Sequence, residues 1–189
     1  MAPEMERMVH ILNTIDDVLN CQRCDLALAR THVVVGSGPL DAKIVVIGEA
    51  PGKNEDKKAE PFVGSAGKIL NGLLEESGID RKDVYITNVV KCRPPKNRTP
   101  LPHEVEACHP YLQKQLEVIK PIGIILLGRS ASEAILGRKI DLGKEHGSIV
   151  EKDGCKYLIT YHPAAMIYKR TLKDTITEDF KKVNALREI

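Results

Sequence analysis

No stretch of the chain is apolar for anything near the ~20 residues that a membrane-spanning helix needs, and its first residues lack the basic-then-apolar order of an export leader. An intracellular protein without a membrane anchor is therefore expected. A formal net charge of +2 is too small to mark a nucleic-acid binder by itself. No repeat, low-complexity tract or linker divides the sequence, which predicts one domain over residues 1–189. The nucleotide signatures G-x-G-x-x-G and G-x4-G-K-[ST] are absent, although Gly48-Glu49-Ala50-Pro51-Gly52 is bounded by glycines. Phenylalanine occurs only twice, so a ring outside a core pattern stands out.

At 42% hydrophobic and 29% charged residues over 189 positions, the composition is that of a soluble domain burying roughly 70% of its unfolded surface. Met5, Met8, Leu12, Ile15 and Leu19 recur at three and four residues and predict an N-terminal helix ending near Asn20. β-Branched runs predict strands at 43–47, 84–87, 122–127 and 157–161. Between them, Ile69, Leu70, Leu73 and Leu74 stripe a helix that stops at Gly78. Val105, Leu112, Leu116 and Ile119 stripe another that starts at Pro102. A short helix is predicted at 130–136, and Ile176, Phe180, Val183 and Leu186 mark a closing one. Strands alternating with helices predict an α/β three-layer sandwich around a four-stranded, mostly parallel sheet.

Three polar segments directly follow predicted strands: Gly48 to Gly52, Thr87-Asn88, and His162-Pro163-Ala164-Ala165. Parallel strands end on one edge, which is where open α/β sheets bind ligands, so these segments are expected to meet in one crevice. Lys91, Arg93, Lys96 and Arg98 cluster after the second strand, and Lys169, Arg170 and Lys173 follow the His162 segment. Positive charge flanking the crevice suits phosphates; two solvated basic loops would look the same.

Of the five cysteines, Cys21 and Cys24 form a C-x2-C pair, and Cys92 and Cys108 lie beyond the second strand. Four thiolates from two places can enclose tetrahedral zinc or an iron–sulfur cluster, and the spacing does not choose between them. Buried thiols acting as small apolar groups are the alternative. Cys155, at the start of an apolar strand, is expected to be an inert fifth.

Together these motifs carry a resemblance that covers nearly the whole chain. The order C-x2-C, Gly48-Glu49-Ala50-Pro51-Gly52, Glu55-Asp56, Pro61-Phe62-Val63-Gly64-Ser65-Ala66-Gly67, Thr87-Asn88-Val89-Val90-Lys91-Cys92-Arg93-Pro94-Pro95, Asn97-Arg98, Ala107-Cys108 and Tyr161-His162-Pro163-Ala164-Ala165 resembles the family 4 uracil-DNA glycosylases. The resemblance implies base excision repair: hydrolysis of the bond between uracil and its sugar, with uracil-containing DNA, single- or double-stranded, as partner. It also implies a [4Fe-4S] cluster on Cys21, Cys24, Cys92 and Cys108. The chain is expected as a monomer, with a sliding clamp as a further partner class that no motif marks.

An enzyme acting on a base must extrude it, pack its face and read its edge. Phe62 sits in a Gly/Pro-rich loop, suited to stacking on a base. Asn88 offers the acceptor and donor that one edge of uracil requires. The resemblance implies that Asn88 reads that edge, that Glu55 walls off C5 against thymine's methyl, and that His162 faces O2 of the departing base. Gly48, Glu49 and Ala50 complete the expected substrate contacts. Related family 1 enzymes carry aspartate where Ala50 stands, so Glu49 and Asn97 are the groups left to orient water. Met166 and Ile167 are candidates to wedge into the gap left by a flipped base. Two other classes fit parts of the pattern: a non-catalytic iron–sulfur protein that binds DNA or carries electrons, and a glycosylase of wider base range or another nucleotide-processing enzyme.

Overall fold

The sheet has five strands where four are predicted, and the additional one lies at its edge. The computed structural model describes the backbone of residues 2–186 and the side chains of residue 9 and residues 12–186. In chain order the elements are α1 (Ala2–Leu19), α2 (Leu26–Ala29), β1 (Ile44–Gly48), α3 (Lys53–Lys58), α4 (Ser65–Glu76), β2 (Val84–Asn88), α5 (Pro102–Ile119), β3 (Gly123–Leu127), α6 (Arg129–Leu136), α7 (Leu142–Glu145), β4 (Ile149–Lys152), β5 (Cys155–Thr160), α8 (Ala165–Tyr168) and α9 (Lys173–Lys181). The strand order is β2-β1-β3-β5-β4. All neighbours are parallel except β4, which runs antiparallel to β5.

Sequence reading missed β4 because it is only four residues long and ends in the exposed pair Glu151-Lys152, the composition of a protected edge rather than a core strand. The signal for it was Asp153-Gly154. Both residues have positive φ (52° and 75°), as the two-residue turn of a tight hairpin requires, and Lys152 pairs with Cys155 across it.

Strands β1, β2 and β3 are buried at every position, so their side chains alternate between two cores. Val45, Ile47, Tyr85, Ile124 and Leu126 face Val18 of α1 and Tyr111 and Leu112 of α5. Ile44, Val46, Ile86, Ile125 and Leu127 face Leu70, Leu73 and Leu74 of α4 and Ile176 and Phe180 of α9. Helix α4 gives way at Gly78, which takes the expected left-handed conformation (φ 72°). The stripe predicted for α1 is corrected. Leu12 and Leu19 are exposed and Ile15 is half-buried, while Thr14 and Val18 face inward; Met5 and Met8 lie outside the described side chains. A cluster of apolar positions spaced at three and four suits two adjacent faces of one helix, and packing against α5 selected the other.

The parallel register brings the strand ends together. Gly48 pairs with Asn88 and Leu127 with Thr160, and the Gly128 amide bonds the Thr160 carbonyl at 2.8 Å. Everything that follows β1, β2, β3 and β5 therefore starts from one edge.

Candidate active site

A cavity of about 630 Å³ opens at that edge, and Glu49, Ala50, Glu55, Phe62, Asn88, Asn97 and His162 all line it. Gly48 sits beneath it, where a Cβ would come within 2.5 Å of the Asn88 Oδ1 and 2.7 Å of the Phe62 ring. Only glycine lets these two side chains meet over the end of β1. Asn88 is 2% exposed, and its Oδ1 is buried without a hydrogen-bond partner. Such an orphaned acceptor costs ~1–3 kcal/mol and is explained by a donor that arrives with a ligand.

Phe62 holds a left-handed backbone (φ 53°), which is strained for a residue with a side chain. It is clamped from two sides. A Cβ on Gly67 would lie 1.8 Å from the Phe62 carbonyl oxygen, so the first turn of α4 presses directly on this peptide. From α3, the Glu55 Oε1 accepts hydrogen bonds from the Val63 and Gly64 amides at 2.9 and 2.8 Å. Phe62 is more buried than the loop sequence suggests, at 6% exposure, and forms both cavity wall and core. Its ring stacks on His162, with centroids 5.6 Å apart and planes at 29°.

The His162 Nδ1 accepts a hydrogen bond from the Ala164 amide at 3.2 Å, which leaves the proton of the neutral ring on Nε2. Burial pulls its pKa down to about 4, against a smaller opposing pull from Glu55. Near neutral pH the ring is an uncharged N–H donor. Asn97, at φ 55°, sits on the rim with its Oδ1 accepting from the Arg93 Nε at 2.7 Å. The Glu49 carbonyl accepts from the Val90 amide at 3.2 Å, which fixes the backbone from which its carboxylate reaches the cavity.

Beyond the end of β2, Cys21, Cys24, Cys92 and Cys108 surround a second, far smaller cavity of about 10 Å³. The Arg30 Nη1 donates to the Cys92 Sγ at 3.1 Å, and the Lys91 amide to the Cys108 Sγ at 3.3 Å. Burial raises the thiols of Cys24 and Cys92 and pushes Cys108 up to about 11, so thiolates here require positive charge among them. Cys155 lies on β5 and outside this cavity.

A family profile described as the uracil DNA glycosylase superfamily matches residues 35–186. The sequence is 46% identical over 184 residues to a type-4 uracil-DNA glycosylase of Thermotoga maritima, covering 95% of each chain. It is 45% identical over 180 residues to one of Archaeoglobus fulgidus, covering 91% of this chain and 90% of the relative. The chain belongs to the type-4 uracil-DNA glycosylases. A type-5 enzyme of Pyrobaculum aerophilum is more distant, at 32% over 170 residues, 78% of this chain and 74% of the relative.

The donor set of this family member can be tested against its geometry. Among the described residues, no three His, Cys, Asp or Glu side chains converge on one metal ion. Zinc would draw its sulfurs to within ~3.8 Å of one another, given Zn–S bonds of ~2.3 Å. In a four-iron cluster each thiolate ligates its own corner iron and the sulfurs stand farther apart. Four thiols around a cavity, two of them accepting N–H···S bonds of the kind that tune clusters, fit the latter.

One expectation about the basic surroundings is corrected. Sequence places Lys91 with the basic residues flanking the crevice, but it is 1% exposed, its ammonium bonded to the Thr87 Oγ1, the Asn88 carbonyl and the Gln115 Oε1 at 2.6, 2.9 and 2.7 Å. Arg98 does line the cavity; its Nη1 and Nη2 each donate to one carboxylate oxygen of the buried Glu104, at 2.8 and 2.6 Å, and it holds that carboxyl below the usual range. Of the wedge candidates, Met166 packs against the core while Ile167 is 48% and Tyr168 88% exposed. Tyr168 at the cavity mouth was missed, as was Asp56, whose buried carboxylate accepts from the Thr31 and His32 amides. An acidic residue in a lysine-rich helix carries no sign of burial in sequence.

Proposed function

We infer that the protein is a uracil-DNA glycosylase acting in base excision repair, and that the cavity at the strand ends receives the extruded base. The observation that carries this reading is the unpartnered Asn88 Oδ1 facing a cavity that also holds a neutral histidine. The two match the N3–H donor and the O2 acceptor of uracil. Cytosine has no hydrogen on N3 and would leave the Oδ1 orphaned, which such polar sites reject strongly. Phe62 supplies the flat apolar wall. Glu55, locked to the Val63 and Gly64 amides, is a rigid boundary suited to excluding thymine's 5-methyl.

As the bond between C1′ of the sugar and N1 of the base breaks, its electron pair leaves with uracil and negative charge grows on O2. The His162 Nε2–H donates to that oxygen. With a pKa near 4, the imidazolium is scarce at neutral pH, so the ring stabilises the anion as a hydrogen-bond donor and transfers no proton. Water then adds to C1′ of the oxocarbenium-like sugar, and the proton it loses passes through solvent to the uracil anion, giving free uracil and an abasic site. Glu49 and Asn97 orient that water; Ala50 has no group to do so. Ile167 and Tyr168 enter the duplex where the base has left, and Lys169, Arg170 and Lys173, all exposed, lie against the phosphates.

Cys21, Cys24, Cys92 and Cys108 would hold a [4Fe-4S] cluster. Its thiolate-saturated irons supply a cross-link between the segment after α1 and helix α5 rather than chemistry at the base.

A duplex carrying one uracil, incubated with the protein and then cleaved at abasic sites, tests the reading. A cut at uracil and none at thymine or cytosine is expected. Equal cleavage at thymine would overturn the assignment of Glu55. Glu49→Gln and Asn97→Ala should each cost less in single-turnover rate than His162→Ala; a larger loss for Glu49→Gln, with fold and iron intact, would make Glu49 the dominant group.

A further inference from the structure

We infer that Lys91 is a positioning residue that aims Asn88 at the base and ties that aim to the cysteine lobe. Lys91 does not line the base cavity, and its side chain is one of the largest that are fully buried. Burying a charge costs several kcal/mol, so a side chain needed only to fill this space would be apolar. All three of its donors are spent. They go to the Thr87 Oγ1 at 2.6 Å, the Asn88 carbonyl at 2.9 Å and the Gln115 Oε1 at 2.7 Å.

The target of that grip is what gives it a function. Asn88 is the last residue of β2, and its Oδ1 makes no hydrogen bond among the described residues. With nothing holding that oxygen directly, its direction depends on the Asn88 backbone. That backbone is fixed on one side by the pairing of β2 with β1 and by the Val89 amide on the Gly48 carbonyl. On the other side its carbonyl is held by the Lys91 Nζ. The Lys91 amide in turn donates to the Cys108 Sγ, and the next residue is Cys92. One residue therefore joins the edge-reading side chain to two of the four thiols.

The inference rests on the base-reading assignment of Asn88, and a double-mutant cycle separates the two. Lys91→Met keeps length and apolar bulk while removing every donor. It is measured alone and with Asn88→Ala, by single-turnover excision of uracil, iron-to-protein ratio and melting temperature. If Lys91 acts through Asn88, Lys91→Met lowers excision by about 10-fold or more in the unmodified background and by less than about 3-fold when Asn88 is already alanine. The iron-to-protein ratio stays constant. An equal loss in both backgrounds overturns the inference, since a general structural role does not depend on what stands at position 88. Normal excision by Asn88→Ala alone overturns the base-reading assignment, and the inference with it. Should Lys91→Met fail to fold, the near-isosteric Thr87→Val removes one acceptor from the ammonium and enters the same cycle. A loss of a few-fold that vanishes beside Asn88→Ala supports the inference, and a loss that persists refutes it.

Discussion

The two cavities of this molecule are built in opposite ways. The base cavity is held by the protein's own backbone. Strand register sets Gly48 beside Asn88, close packing of Gly67 traps Phe62 in a strained conformation, and two amides lock Glu55. The thiol cavity is bounded by a turn between α1 and α2, a loop after β2 and one face of α5, with no strand pairing among them. Recognition needs groups placed before the ligand arrives, because electrostatic stabilisation is strongest where nothing must reorganise. A metal centre can draw its ligands together, because binding free energy becomes folding free energy. The first site is prepared, and the second, on the proposed reading, would be completed by what it binds.

The comparison is tested most severely by removing a thiol. Cys92→Ala should abolish iron binding and lower stability by about 2–5 kcal/mol, as loss of a covalent cross-link does. Amide exchange should rise in residues 20–32 while β1 to β3 stay protected. Cys155→Ala should keep its iron and change stability by less than about 1 kcal/mol. Iron retained in Cys92→Ala, or lost in Cys155→Ala, would break the assignment.

On the prepared side, His162→Ala should slow single-turnover excision roughly 100- to 1000-fold, the usual cost of one preorganised donor to a developing anion. Affinity for uracil-containing DNA should change little. A loss under about 10-fold would move the main catalytic burden to Glu49 or Asn97.

The histidine also gives the prepared site a pH signature. Its pKa is lowered to about 4 in the folded protein against roughly 6.5 in an unfolded chain. Protons therefore favour the unfolded state between these values. The stability it confers is complete above pH ~6.5 and declines as pH falls toward ~4, by no more than about 3 kcal/mol. Denaturant melts from pH 7 to 4 should show a slope that His162→Phe flattens, and excision should hold down to about pH 5. An activity loss centred near pH 6.5 would contradict the neutral ring.

The smallest effect is expected at the exposed rim. Tyr168→Ala should weaken duplex binding by ~1–2 kcal/mol, the scale of one lost base stack, and change single-turnover excision at saturating protein little. No change in duplex binding would leave Ile167 as the wedge.

Periodicity and turn chemistry made most of the frame legible. The all-apolar runs of β1 and β3 could only be buried strands between helices, and Gly78 marked the end of α4 because few other residues adopt its backbone angle. Strand β4 escaped because an edge is defined by which neighbour it lacks. Residue type places Lys91 and Met166 at the surface or on the DNA, yet one is a buried anchor and the other a core contact. The direction of a side chain depends on its neighbours in space.

The sequence by itself determined the layered α/β architecture, the convergence of three strand ends and the set of four thiols apart from Cys155. The first two follow from local preference and from the direction parallel strands must share, the third from cysteine spacing. Only the tertiary structure decided that Phe62 rests on His162, that the Asn88 Oδ1 has no partner, that the His162 proton lies on Nε2 and that Lys91 clamps Asn88 from within. These depend on contacts between residues far apart in the chain, whose distances are fixed when the sheet and its helices close on one another.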